Sequence, residues 1–370
     1  MRIAILGGSF DPVHSEHVRL VEAAKTDLRL DKVIIMPSHI APHKLDGAWT
    51  SGENRLKMCE LAFRDHGYAD VSGYELAQSG TSYTYLTCQE FARRFPNAER
   101  FFLVGADMLE NFFSWKNPRE ILKNVTLAVC GREGYSAELE ERFFSEYGCR
   151  YEKVNYTGAE VSSTRIRTEL AFGKVPLALE QKVLAYAQEN NLYTHPAIMP
   201  ALALEKEERR EHSFRVALMA TARARSAGVS EQRALIASAL HDCGKYVSLN
   251  SPLLKGFVAP EGVPAPVMHQ FIGAYLAEHA FGIRDGEILD AVRYHTSARE
   301  NMTPLEKLIY LSDLLEEGRS YPGVERLRAL FWEDLDVCLK ESLREQIEYL
   351  EHSGAPVYPL TKRAYKYLIR

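Results

Sequence analysis

The sequence predicts a doubly wound, parallel α/β sheet followed by an all-α domain. Three observations carry that expectation. At 370 residues the chain is long for a single compact core, which favours two domains. Residues 1–190 alternate short apolar runs with segments of helical period, the pattern of βαβ crossovers and a parallel sheet. Beyond residue 200 helical periodicity takes over and no credible strand remains.

In the first half the strand candidates are residues 2–6, 32–36, 71–75, 100–104 and 126–130. Helical patterns such as "SEHVRLVEAAKTDL" and "NRLKMCELAFRDH" fall between them. Ligands of such sheets bind at the carboxyl ends of the strands. Residues 194–200 hold two prolines and mark the boundary, giving domains at 1–195 and 200–370. The helices expected beyond it are 202–227, 231–241, 271–280, 288–295, 305–317 and 335–352. There is no internal repeat or low-complexity tract.

Composition narrows the function classes. With 46% hydrophobic and 26% charged residues, the chain reads as a soluble globular protein. A net charge of −5 argues against nucleic acid as a partner. No run of about 18 apolar residues is present, so no membrane association is expected. The amino terminus lacks the basic and apolar regions of a secretion signal. The six cysteines are scattered without a Cys-x-x-Cys pair, which points to core thiols in a reduced cytoplasm rather than to zinc.

The stretch "GGSFDPVHSEH" directly follows the first apolar run. Gly7 and Gly8 let the backbone turn sharply and approach a ligand. A helix beginning near Ser15 would aim its amides and positive dipole end into the crevice, a ready phosphate site. His14 and His17, three apart, can face one side and donate to phosphate oxygens, although a tight turn with two surface histidines has the same sequence. In "VSSTRIR", Ser162, Ser163 and Thr164 cap a helix from Arg165 whose first turn carries Arg165 and Arg167, a second anion site. The run "FFLVGAD" ends a strand at Asp107, with Trp115 eight residues on. An acid there can bind a ribose or base edge and an indole can stack on a flat ring; alone, they would be a helix cap and a core residue.

Taken together these segments resemble the nucleotidylyltransferase superfamily, specifically bacterial nicotinate mononucleotide adenylyltransferases. The likeness also rests on "APHK", "NRLKM", "SYT" and "SSTRIR" in the family's order, over about residues 1–193. It implies a Rossmann-like domain that transfers AMP from ATP to nicotinate mononucleotide, giving the deamido-dinucleotide and pyrophosphate. It assigns His14, His17 and Arg167 to the ATP phosphates with bridging Mg²⁺. Gly7, Gly8, Ser9, Ser163 and Thr164 would line the nucleotide site and Asp107 would hold the adenosine part. Lys44, Thr84 and Trp115 would receive the mononucleotide. Ser9 stands where the family has Thr, and Glu16 where it has Gly. Glu16 either turns outward against the helix dipole or weakens ATP binding from beside the phosphates.

The helical half carries His212, His241–Asp242, His269, His295 and Asp313, each on or just after an apolar helix face. Six ionisable groups from five such segments are costly to bury unpaired, and bound divalent metal is the natural compensation. Imidazole and carboxylate without thiolate suit iron, manganese or a similar metal, and six ligands exceed a tetrahedral zinc site. A two-metal centre bridged by Asp242 would activate water and clamp a phosphate.

This half resembles the HD-domain phosphohydrolases, and more closely the small bacterial enzymes that split diadenosine tetraphosphate symmetrically into two ADP. The likeness runs over about residues 203–369 through "EHSFRVA", "ALHDCGKY" and the long run from Ile288. It makes the six residues metal ligands and makes Lys245 and Arg319 phosphate contacts. Cys243 replaces the usual aromatic and Gln270 the usual Gly, which leaves the ligands intact and alters the pocket. The Gly-Tyr-Pro signature of cyclic-dinucleotide phosphodiesterases is missing.

The expectation is therefore a bifunctional enzyme acting on ATP, nicotinate mononucleotide and diadenosine tetraphosphate. Its rivals are adenylyl transfer to another phosphorylated acceptor, and a helical half that only senses nucleotide or hydrolyses a different one.

Overall fold

The computed structural model describes residues 1–39, 49–78, 82–131, 137–159 and 161–369, with Asp107 described in its backbone only. The chain divides into two compact units: Met1–Ile166 with Pro176–Leu192, and Arg167–Val175 with Tyr193–Arg370.

The first unit is built on β1 (Arg2–Gly8), β2 (Lys32–Pro37), β3 (Ala69–Val71), β4 (Glu99–Gly105), β5 (Thr126–Cys130) and β6 (Glu152–Val154). All pairings are parallel, in the order β3-β2-β1-β4-β5-β6. The crossover helices are α1 (Ser15–Asp27), α2 (Gly52–Ala62), α3 (Thr84–Arg94), α4 (Ala106–Phe112), α5 (Pro118–Asn124) and α6 (Ala137–Tyr147). They are followed by α7 (Ser163–Ala171) and α8 (Gln181–Glu189).

A parallel sheet is covered on both faces, so its central strands must be apolar throughout. Ile3, Ala4, Ile5 and Leu6 of β1 are buried, as are Phe101–Val104 of β4 and Leu127–Val129 of β5. Burying each large side chain contributes roughly 1.5–3 kcal/mol. The chain order reverses direction between β1 and β4, which opens a crevice at their carboxyl ends.

Two strand readings are corrected. The third strand is Ala69–Val71 and not 71–75, because its last ladder bond, from Ser72 N to Ile35 O, is followed by a turn starting at Gly73. The edge strand β6 was not expected: at three residues, two of them charged, it has no apolar period to read.

The second unit contains α9 (Ile198–Leu202), α10 (Glu207–Ala224), α11 (Glu231–Leu240), α12 (Ala265–His279) and α13 (Gly286–Tyr294). It continues with α14 (Pro304–Leu315), α15 (Val324–Glu333), α16 (Leu335–His352) and α17 (Pro359–Leu368), and it has no strand among the described residues. The starts follow capping chemistry. Ser230 accepts from Arg233 N, Asp285 from Glu287 N, and Thr303 and Glu306 form a reciprocal capping box. Helix α12 begins six residues earlier than expected because proline is tolerated in a first turn. Helices α9, α15 and α17 were not anticipated. No described helix is long and apolar enough to cross a membrane.

Candidate active sites

The first site forms where β1 and β4 end. A cavity of about 420 Å³ is lined by Gly7, Gly8, Ser9, Thr84 and Trp115, together with Lys116. Five sequence-selected residues thus meet in one crevice. A Cβ on Gly8 would come within 3.1 Å of the buried Phe10 ring, so any larger residue here would push against the aromatic that the turn folds over. The carbonyl of Ser9 accepts from the buried Arg55 guanidinium at 2.7 Å, which anchors the turn from beneath.

Helix α1 starts at Ser15, as expected, with His14 as its N-cap. The His14 amide donates to His17 Nδ1 at 3.2 Å, and the two rings lie 3.8 Å apart. Because His17 Nδ1 accepts, the proton of the neutral ring sits on Nε2, free to donate outward. Burial pushes His14 down to about 4 and, with His14 adding to the effect, holds His17 well below the usual imidazole range. Both are neutral donors near pH 7.

Trp115 packs edge-on to Phe102, and its buried Nε1 has no hydrogen-bond partner. Ser162, the first of the Ser–Ser–Thr run, accepts from Arg165 N at 3.2 Å as a cap, while Ser163 Oγ donates to Pro12 O at 3.0 Å. Ser163 and Thr164 are the first two residues of α7. Arg167 lies in the second unit, buried and paired through Nε and a terminal nitrogen with Glu231. Asp107 begins α4 with Ala106, directly after β4. Lys44 and its neighbour His43 lie outside the described residues.

The Glu16 carboxylate is buried and held by three donors. One oxygen accepts from Tyr156 OH at 2.6 Å and Ala159 N at 2.8 Å, and the other from Arg19 at 2.6 Å. Against the desolvation of burial, these donors hold its acid below the usual carboxylate range.

The second site is more tightly drawn. His212 comes from α10, His241 and Asp242 from the end of α11, His269 from α12, His295 from the end of α13 and Asp313 from α14. Ligand atoms of His212, His241 and Asp313 lie within 4.8 Å of one another, as do those of His241, Asp242 and His295. His269 Nε2 stands 3.1 Å from both Asp242 Oδ1 and His295 Nε2, so all six converge.

The outer hydrogen bonds fix the rings. His241 Nδ1 and His295 Nδ1 face the Ser238 and Val292 carbonyls at 2.6 and 2.8 Å, and a carbonyl can only accept. The neutral tautomers therefore turn bare Nε2 lone pairs inward. His241 Nε2 is fully buried and makes no hydrogen bond; its nearest carboxylate oxygens are 3.6 and 3.9 Å away. Burial lowers the His241 ring to about 3, so no proton fills the gap near neutrality. An orphaned lone pair beside two carboxylates fits a divalent cation and little else.

Cations surround these acids. Lys245 Nζ is 3.4 Å from Asp242, and Arg319 donates to Asp313 at 2.6 Å, which places both at the rim of this cluster. Arg209, 2.9 Å from Asp242 Oδ2, was missed, although it precedes His212 by three residues on one helix face. Glu316 was missed too: buried, it accepts from His212 Nδ1 at 3.0 Å and from Arg215. Its spacing of three from Asp313 was the available signal. Despite burial, His212 and Arg215 hold Glu316 down at about 2.

The two departures in this half have local explanations. Gln270 is fully buried, donates to Ser297 Oγ and accepts from the Thr296 and Ser297 amides, tying α12 to the turn after His295. Cys243 Sγ lies 3.7 Å from the Gly273 carbonyl. Beside it, a Cβ on Gly244 would meet Gly273 N and His269 O at 2.5 Å, so this glycine lets α12 approach closely enough to deliver His269.

A family model described as cytidylyltransferase-like matches residues 5–169, and the HD domain model matches residues 209–318. A Mycoplasma pneumoniae protein named "Probable nicotinate-nucleotide adenylyltransferase/Ap4A hydrolase" is 29% identical over 320 residues, 85% of this chain and 88% of its own length. A Shewanella woodyi protein named "Probable nicotinate-nucleotide adenylyltransferase" is 35% identical over 208 residues, covering 52% of this chain and 99% of its own length. A solved Clostridium acetobutylicum structure, described as a "predicted HD superfamily hydrolase involved in NAD metabolism", is 29% identical with a TM-score of 0.42, over 47% of this chain and 95% of that one. This chain belongs to the nicotinate-nucleotide adenylyltransferase family, its adenylyltransferase-type domain being followed in sequence by an HD domain.

Proposed function

We propose that the chain is bifunctional: residues 1–195 transfer AMP from ATP to nicotinate mononucleotide, and residues 200–370 hydrolyse diadenosine tetraphosphate symmetrically to two ADP. The observations that carry the reading are the convergence of six ligand-type residues in one unit, with His241 Nε2 left without a hydrogen bond, and the glycine-turned crevice in the other. The named activities of the full-length mycoplasmal relative support the pairing.

In the first crevice the acceptor phosphate attacks the α-phosphorus and pyrophosphate leaves, without a covalent intermediate. The chain's contribution is positioning and charge stabilisation. His14 and His17 donate N–H groups to the phosphates, and the α1 and α7 amino ends present amides to them. Gly7, Gly8, Ser9, Ser163 and Thr164 shape the nucleotide cradle, and Asp107 holds the adenosine part. Lys44, Thr84 and Trp115 take the mononucleotide, the indole stacking on its pyridine ring. Arg167 is assigned to the phosphates as well, a role that requires Glu231 to release it. Mg²⁺ is the cation proposed here.

In the second site His212, His241, Asp242, His269, His295 and Asp313 would hold two divalent ions, iron or manganese. Bound metal supplies Lewis-acid charge and acidifies water. Lys245 and Arg319 orient the polyphosphate, and Glu316 keeps His212 in the tautomer that faces the ion. Glu316→Gln is expected to weaken metal binding about 10- to 100-fold, the usual cost of losing such an outer partner, as read by competition with a chelator. Free thiols at all six cysteines suit a reducing cytoplasm.

The test feeds each substrate to the purified chain and separates the nucleotides. Deamido-dinucleotide from ATP plus nicotinate mononucleotide, and ADP as sole product from diadenosine tetraphosphate, are expected. ATP plus AMP from the tetraphosphate would refute symmetric cleavage.

A further inference from the structure

The position two residues into α1 is glycine in the motif that this chain resembles, and a glycine can hold nothing. Here Glu16 reaches across to the segment 155–159, between β6 and α7. Its Oε2 takes the Tyr156 hydroxyl at 2.6 Å and the Ala159 amide at 2.8 Å, while its backbone carbonyl takes the same hydroxyl at 3.1 Å. Arg19 neutralises the other oxygen at 2.6 Å. Further along α1, Asp27 accepts from Asn155 N at 2.7 Å, so the segment is stitched to the helix at two levels. The segment then leads into Ser162–Thr164, and Ser163 Oγ bonds the Pro12 carbonyl just before His14.

We infer that Glu16 is a positioning residue that latches the entry of α7 onto the amino end of α1, holding the two helix ends that receive the ATP polyphosphate in fixed register. The inference rests on the adenylyl-transfer reading of this crevice. Its physical basis is that two amide clusters on separate helices bind one polyanion well only if their spacing is set before the ligand arrives. Charge is the weaker account: Glu16 does act on His14 through space, but burial outweighs it there, and every hydrogen bond to the carboxylate comes from a donor that offsets its charge. Tyr156 is the latch's other half, and its hydroxyl, pushed up by burial and by Glu16, stays protonated as a donor throughout the working range.

Three variants of the full chain separate the possibilities: Tyr156→Phe, Glu16→Gly and Glu16→Gln. Tyr156→Phe and Glu16→Gly should raise KM for ATP about tenfold with kcat within about twofold, the effect of one or two lost charge-assisted hydrogen bonds. Glu16→Gln keeps an acceptor oxygen without the charge and should stay within about threefold of the parent chain. Hydrogen exchange at the Ala159 amide, which needs no activity, should quicken in Glu16→Gly and remain slow in Glu16→Gln. A KM unchanged or lowered in Tyr156→Phe and Glu16→Gly overturns the inference, as does Glu16→Gln matching Glu16→Gly or an unprotected Ala159 amide in the parent chain. If the parent chain makes no dinucleotide while Ala159 is protected and loses protection in Glu16→Gly, the latch stands as structure and the adenylyl-transfer reading is what fails.

Discussion

Alanine at Asp242 is expected to abolish hydrolysis of diadenosine tetraphosphate, lowering it at least about 1000-fold, the several kcal/mol that a metal centre supplies. The carboxylate lies against His241, His269 and His295 at once, at 3.6, 3.1 and 3.6 Å. Its loss leaves three imidazole lone pairs in a buried pocket with Asp313 as the remaining acid. Metal content of the purified variant, measured by atomic emission, should fall together with the activity. Adenylyl transfer should stay within about twofold, because Asp242 touches none of the residues assigned to that reaction. A variant that hydrolyses normally would remove the case for this site. One that instead changes adenylyl transfer would favour a sensing role for the helical unit.

His17→Ala should lower kcat/KM for adenylyl transfer about 100- to 1000-fold, the range for removing one preorganised donor to developing charge. The pH dependence adds a second readout. His14, pushed down to about 4 by burial, and His17, lower still than usual, are neutral in the free protein at pH 6.5. Polyphosphate beside them favours the protonated form, so ATP binding at that pH should take up protons. Calorimetry in buffers of different ionisation enthalpy reads the uptake directly, and the variant should show less of it. The same depressed values make the unfolded chain bind more protons between about pH 4 and 6.5. Stability from these two rings is therefore present above that window and lost as pH falls through it. A chain whose ATP binding is proton-neutral would show that the rings do not face the phosphates.

Much of both sites could be read in the linear sequence because several motif residues sit at an element's end, where the local pattern announces them. Gly7 and Gly8 follow an apolar run, Ser15 opens a helix of clear period, and His241–Asp242 closes another. Helix-wide periodicity likewise marked 335–352, which is α16 to the residue. Short elements escaped because three to five residues carry no period: β6 and α9 exist through the neighbours that pair with or cover them. Glu316 and Arg209 escaped for another reason. Charged residues on amphipathic helices are mostly solvated, so a spacing of three from Asp313 or His212 is a weak sign that either one turns inward.

What the sequence determined by itself was the class of each half, the parallel sheet and the helical array, together with the identities of the residues that could meet. Only the tertiary structure decided the partnerships: His269 delivered by the contact that Gly244 permits, Arg167 paired with Glu231, and Glu16 turned onto Tyr156. The physical reason is range. Periodicity and capping act over a few residues along the chain, whereas the direction of a long charged side chain is set by whichever donor or acceptor packing brings to it from more than a hundred positions away, as Tyr156 lies from Glu16.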